Sequence, residues 1–130
     1  MNRKPKVGLA LGGGASRGFA HIGVIQVLED IGIKPDYIAG SSMGAIIGAL
    51  YAAGATPYMM EGIANNVNAK LCYDVGFSKK GLMRGKRLEE LIQLLTRDMD
   101  FKDLPIPLAV TAVDLITNKR VVINEGKVYK

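Results

Sequence analysis

Two short stretches of this chain carry residues that could do chemistry. One is Gly40-Ser41-Ser42-Met43-Gly44, a match to G-x-S-x-G. The apolar run Tyr37-Ile38-Ala39 leads into it, and a helical run over residues 43–53 leads out. Strand, sharp turn, serine, helix is the layout of a nucleophile elbow. A serine there stands on a strained turn with its hydroxyl above the sheet, and small flanking residues allow strand and helix to approach closely. The register selects Ser42 and leaves Ser41 as the residue before the turn. The second stretch is Gly12-Gly13-Gly14-Ala15-Ser16-Arg17-Gly18, at the start of a helical run. Backbone N–H groups at such a helix start favour developing negative charge. An acyl-transfer serine enzyme needs a nucleophile, a base and an oxyanion hole. These stretches offer the first and the third.

The base is harder to find. The single histidine, His21, precedes the serine, whereas the triad histidine of α/β-hydrolases follows it. His21 is read as a packed or helix-face histidine, so a Ser-His-Asp triad is not expected. The carboxylates that remain include Asp36, Asp74, Asp98, Asp100, Asp103 and Asp114. Asp114 closes a strand near the relevant edge, but an aspartate there more simply accepts backbone N–H bonds. A dinucleotide fingerprint is not met, because Arg17 stands where its register needs glycine. Gly85-Lys86-Arg87 does not follow a strand and is no phosphate loop, and no metal-ligand spacing is present.

Positioning these residues requires a parallel sheet. Residues 7–11 read as a buried first strand, residues 19–30 as a helix ended by Gly32, and residues 37–39 as the second strand. Strand–helix–strand units make parallel pairs with a right-handed crossover, so the glycine turn and the serine turn open at one carboxyl edge. The run 43–53 is apolar nearly all round and is expected to be buried. Thr56-Pro57 starts a further helix reaching about residue 69. Residues 74–85 read as an irregular excursion, 86–99 as an amphipathic helix, 108–113 as a strand with a hairpin partner over 120–124, and 127–130 as the start of another strand.

Length and composition fit one packed domain: 130 residues, 48% hydrophobic, 16 glycines. With no tryptophan and 6% aromatics, an aromatic nucleic-acid platform is not expected. The net charge of +5 reads as a basic surface with some attraction to anionic membranes. Lys79, Lys80, Arg84, Lys86 and Arg87 read as a solvated patch, with a membrane-facing patch beside a lipid site as the alternative. Cys72 stands alone and fits a reducing cytosol. The apolar run after the basic start is too short for a signal peptide, and no run is long enough to span a bilayer.

Together these motifs resemble the patatin-like phospholipase family of bacterial type. Residues 12–23, GGGASRGFAHIG, look like that family's oxyanion segment, and residues 40–45, GSSMGA, like its nucleophile elbow. Residues 103–114, DLPIPLAVTAVD, resemble its next core strand, and the hairpin through residue 126 continues it. The resemblance covers nearly the whole chain. It implies an α/β fold, a three-layer α/β/α sandwich with a mainly parallel sheet, here truncated. The 130 residues are then the N-terminal part of a single domain that continues beyond residue 130. It implies a serine acyl hydrolase of phospholipase A or esterase type, acting on lipid esters through a Ser-Asp dyad. Carried over by position, Ser42 is the catalytic nucleophile, and Gly40, Ser41, Met43 and Gly44 build its elbow. Gly12, Gly13, Gly14, Ala15, Arg17 and Gly18 form the oxyanion hole.

Two departures qualify the match. Ala15 stands where many members have glycine, although its N–H survives. The family's catalytic aspartate lies in an Asp-Gly motif, and no Asp-Gly dipeptide occurs here. The dyad aspartate is therefore expected beyond this chain, and the 130 residues alone are expected to be inactive. No cofactor is expected. The expected partners are a lipid or ester substrate and, peripherally, an anionic membrane, with no nucleic acid and a cytoplasmic location. The alternative reading is a non-catalytic α/β module that binds a phosphate, nucleotide or lipid at the glycine-rich turn.

Overall fold

A computed structural model describes residues 4–66 and 81–130. Strand β1 (Gly8–Leu11) passes through a 3-10 turn (Ala15–Phe19) into helix α1 (Ala20–Asp30). Strand β2 (Tyr37–Ser41) runs directly into helix α2 (Met43–Ala52). Helices α3 (Pro57–Asn66) and α4 (Gly81–Leu95) follow. A 3-10 turn (Phe101–Asp103) then precedes strands β3 (Leu108–Asp114) and β4 (Lys119–Ile123). The strands lie in the order β1-β2-β3-β4. The first two pairings are parallel and the third is antiparallel, so the fold is α/β with a mixed, mainly parallel sheet.

Sequential parallel strands joined by right-handed crossovers place their connecting helices on one face. That face carries Leu11, Ile38 and Leu108, each buried. Helix α2 lies directly on it: a Cβ added to Gly48 would sit 3.0 Å from the Ile38 side chain and 3.5 Å from those of Leu11 and Leu108. Helices α1 and α3 pack against α2 and against each other. With the sheet beneath and α1, α3 and α4 against it, α2 has no polar side to offer. Ile47, Ala49, Leu50, Tyr51 and Ala52 are all buried, as its uniformly apolar sequence predicts. Thr56 caps α3 by accepting the Met59 N–H at 3.2 Å.

Several expectations need correction. The first strand is not buried throughout; only Leu11 is. It lies at the sheet's edge, and its residues on the face away from α2 are exposed. That face, with Ala10, Tyr37, Ala39 and Ala109, lines a shallow groove of about 510 Å³. The amphipathic helix starts at Gly81, not residue 86, and ends at Leu95, not residue 99. Gly85 lies inside it, at a cost of about 1 kcal/mol relative to alanine that the helix absorbs. At its end the Thr96 hydroxyl donates to the Ile92 carbonyl at 2.7 Å, and Arg97 and Asp98 adopt left-handed backbone that turns the chain away. Residues 127–130 do not begin a strand. Lys127 makes a single bridge to Asp100, and its Nζ binds Asp98 at 3.1 Å and Asp100 at 3.3 Å. The last residues thereby tie the chain to the turn after α4. The last part of the expected third helix, Cys72, Asp74, Lys79, Lys80 and the side chains of Arg84 and Arg87 lie outside the described residues. Lys86 is exposed.

Candidate active site

The turn between β2 and α2 has one residue at its apex. Ser42 adopts φ 52°, ψ −126°, a conformation that side chains rarely occupy and that costs on the order of 1–3 kcal/mol. The close approach of strand to helix enforces it. A Cβ on Gly40 would lie 2.5 Å from Ala45 Cα, and one on Gly44 would collide with the Leu11 carbonyl and lie 2.5 Å from the Gly12 carbonyl. Only glycine fits at these two positions. The Ser42 carbonyl accepts the first helical bonds, from Ala45 N at 2.9 Å and Ile46 N at 3.3 Å. Its hydroxyl makes no capping bond and its side chain is exposed. Ser41 is half-buried and Met43 fully buried beneath the turn.

The glycine-rich turn stands against this apex. A Cβ on Gly13 would lie 3.2 Å from Ser42 Cβ and 3.8 Å from its Oγ. The register places both turns at one edge, because Leu11 pairs with Gly40 and the two strands run parallel. Among the described residues, the N–H groups of Gly13 and Gly14 donate to no backbone or side-chain acceptor, and both residues are exposed. Gly14 (φ 154°) precedes the 3-10 turn, and the Arg17 N–H closes it by donating to the Gly14 carbonyl at 3.0 Å. Gly18 is buried, and a Cβ there would collide with the Met43 side chain. The 3-10 turn is thus seated on the first residue of α2. Gly12, Ala15 and Arg17 are exposed along the same turn.

His21 has a definite place that its sequence position alone does not disclose. Its Nε2 donates to the Gly12 carbonyl at 2.8 Å, fastening α1 to the glycine turn. His21 is the second residue of α1, and nothing in the helical period marks what its ring touches. Asp114 is not placed as a base. Its carboxylate accepts the Ile116 N–H at 2.8 Å, the Thr117 N–H at 3.4 Å and the Thr117 hydroxyl at 2.8 Å. These bonds, the Ile116 N–H foremost, hold its carboxyl below the usual carboxylate range. Asp36 is bound to Val7 N and Lys6 Nζ at the far end of the sheet, and Asp98 to Lys127 and Gln93. Among the described residues no side chain hydrogen-bonds Ser42, and no three His, Cys, Asp or Glu residues cluster as a metal site.

An exposed serine on a strained turn, with Gly13 against it and a helical segment starting just beyond, is an arrangement whose chemistry is that of a nucleophile beside an anion-favouring turn. Known proteins are similar to this chain in sequence and fold. The family model described as patatin-like phospholipase matches residues 9–129. The chain is 36% identical over 125 residues to an uncharacterized NTE family protein of Mycobacterium tuberculosis, across 94% of this chain and 34% of that one. It is 51% identical over 65 residues to lysophospholipase nte1 of Aspergillus fumigatus, across 50% of this chain and 4% of that one. The fold matches ExoU, crystallised with SpcU from the type III secretion system of Pseudomonas aeruginosa. That match has a TM-score of 0.70 at 22% identity and covers 94% of this chain and 35% of ExoU. The chain spans about a third of the length of the mycobacterial relative.

Proposed function

The chain belongs to the patatin-like phospholipase family, and from that premise we propose that it is the serine-bearing part of a lipid acyl hydrolase. Ser42 Oγ attacks the carbonyl carbon of a lipid ester. The carbonyl oxygen becomes anionic and is received by the N–H groups of Gly13 and Gly14, with Ala15 next in line on the same turn. The serine proton passes to an aspartate carboxylate that these 130 residues do not contain, completing a Ser-Asp dyad. The alcohol leaves with that proton, and water then hydrolyses the acyl-enzyme. Arg17 and Gly18 shape the turn, Gly18 by its seat on Met43. The 130 residues are the N-terminal part of that catalytic domain.

One observation carries the reading: Gly13 lies against Ser42, so close that a Cβ there would sit 3.2 Å from Ser42 Cβ and would require the serine to give way. A glycine turn built for structure alone has no reason to stand over an exposed, strained serine. The lysophospholipase relative supports a lipid ester as substrate. The work is done in the cytoplasm at a membrane surface. A lone cysteine fits that compartment, and no described helix is long and apolar enough to cross a membrane.

The test is hydrolysis of a short-chain nitrophenyl ester by the full-length protein. Ser42→Ala is expected to lower the rate by at least about a thousandfold. An unchanged rate in that variant contradicts the reading. The isolated 130-residue chain is expected to be close to inactive.

A further inference from the structure

The hairpin joining β3 to β4 ends in the most exposed large apolar residues among those described. Leu115 is 91% and Ile116 96% exposed. Hairpin tips are ordinarily polar, with turn-forming Gly, Asn, Asp and Ser. Two adjacent aliphatic side chains standing fully in water contribute nothing to the core of this chain. Nor is the tip a loose loop. The three hydrogen bonds to the Asp114 carboxylate hold residues 114–117, and Asn118 at φ 52° closes the turn onto Lys119, the cross-strand partner of Asp114. Leu115 and Ile116 are held outward by a built turn.

Position and charge add two independent observations. Strand β3 runs parallel to β2, with Thr111 paired to Ser41. It continues three residues further, to Asp114, before turning. At about 3.3 Å per residue, the tip therefore projects roughly 10 Å past the sheet edge that carries Ser42 and the glycine turn. Directly after the turn come Lys119 and Arg120, both exposed. Apolar groups that anchor proteins at membrane surfaces enter about 5–10 Å into the headgroup and acyl boundary, with cations beside them at the phosphates.

We propose that the Leu115-Ile116 tip docks the protein on an anionic lipid surface. The two aliphatic side chains enter the boundary of the acyl layer, and Lys119 and Arg120 meet lipid phosphates. Ser42 then faces the surface across the roughly 10 Å that the tip spans. The choice of a lipid occupant rests on the reading of Ser42 as a lipid acyl hydrolase. The exposure, the built turn and the shared sheet edge do not.

These 130 residues contain no tryptophan, so Ile116→Trp, read as the difference from the unsubstituted full-length protein, reports on the tip. With phosphatidylcholine–phosphatidylglycerol vesicles its emission is expected to shift to the blue and to be quenched by brominated acyl chains. Both effects are expected to weaken with salt. In Leu115→Ser/Ile116→Ser, partition into these vesicles is expected to fall by at least about tenfold. Turnover of a soluble nitrophenyl ester is expected to be unchanged. Three results overturn the proposal: blue emission without vesicles, which means protein already covers the tip; no change at saturating lipid; or equal partition of the double variant. Ser42→Ala separates this proposal from the reading it rests on. A tip that binds vesicles in a protein whose ester hydrolysis ignores that substitution leaves the docking surface standing and removes the hydrolase. Hydrolysis lost in Ser42→Ala alongside a silent tip does the reverse.

Discussion

Ser42 holds its hydroxyl in place at the expense of its own backbone. At φ 52° and ψ −126° a residue without a side chain is more comfortable. Ser42→Gly is therefore expected to raise unfolding stability by about 1 kcal/mol in urea titrations, whereas Ser42→Ala keeps the strain and gains nothing comparable. Equal stability of the two variants would show that the turn is relaxed. Ala15 makes the same point on the neighbouring turn. It sits at φ 48°, in left-handed backbone that favours glycine. Ala15→Gly is expected to add roughly 0.5–1 kcal/mol without loss of ester hydrolysis. This is also the physical meaning of glycine where the resembling family has one. The serine and the glycine run could be read from the chain because special backbone geometry restricts residue type. The bond from His21 to the Gly12 carbonyl could not, since nothing in a helix's apolar period says what its polar members touch.

Helix α2 is the element on which the candidate site is mounted. It touches the sheet through Gly48 and the 3-10 turn through Met43, and it meets α1, α3 and α4 as well. Gly44 brings its first turn against the carbonyls of Leu11 and Gly12. Gly44→Ala drives a methyl group into that backbone and is expected to cost about 3 kcal/mol, measured by urea unfolding. Tyr51, buried on α2, donates its hydroxyl to Glu29 of α1 at 2.9 Å. Burial first, then this hydrogen bond, pushes its hydroxyl up to about 12 from 10.0. The folded state holds that proton more tightly than the unfolded chain does. The stabilisation is therefore complete below the unfolded value of 10.0 and is lost as pH rises toward about 12. Tyr51→Phe is expected to flatten the loss of thermal stability across that window and to remove the last-titrating tyrosinate from an absorbance titration. An unaltered alkaline limb would place the coupling elsewhere. The uniform apolarity of α2 made its burial readable in advance. The early start of α4 was not, because Gly81 and Gly85 look like loop residues and are held in the helix against their own preference. The last residues were misread for another reason: Val128 and Tyr129 are of types common in strands, but ion pairs of Lys127 with Asp98 and Asp100 bind them to a turn.

Across the molecule, one sheet edge gathers what matters. The glycine turn, the Ser42 apex and the aliphatic hairpin tip all stand at the carboxyl ends of parallel strands, where ligands bind in open α/β sheets. Helices among the described residues cover the sheet on the side of Leu11, Ile38 and Leu108. The side carrying Ala10, Tyr37 and Ala39 lines an open groove. Parallel order and a shared edge followed from the strand–helix–strand pattern alone, and so the meeting of the two turns could be anticipated. The place of Asp114 could be anticipated too, since an aspartate closing a strand is suited to accept the N–H groups of its own turn, as it does here. What remained hidden was the hairpin tip, because an exposed Leu-Ile pair reads in sequence as core. The central claim is that Ser42 is an activated nucleophile, and fluorophosphonate labelling of the full-length protein followed by peptide mass spectrometry tests it most directly. The account predicts a single adduct on Ser42, absent in Ser42→Ala. Silence at Ser42 in the folded, full-length protein, or labelling that persists in Ser42→Ala, would contradict it and leave the glycine turn as a binding site without catalysis.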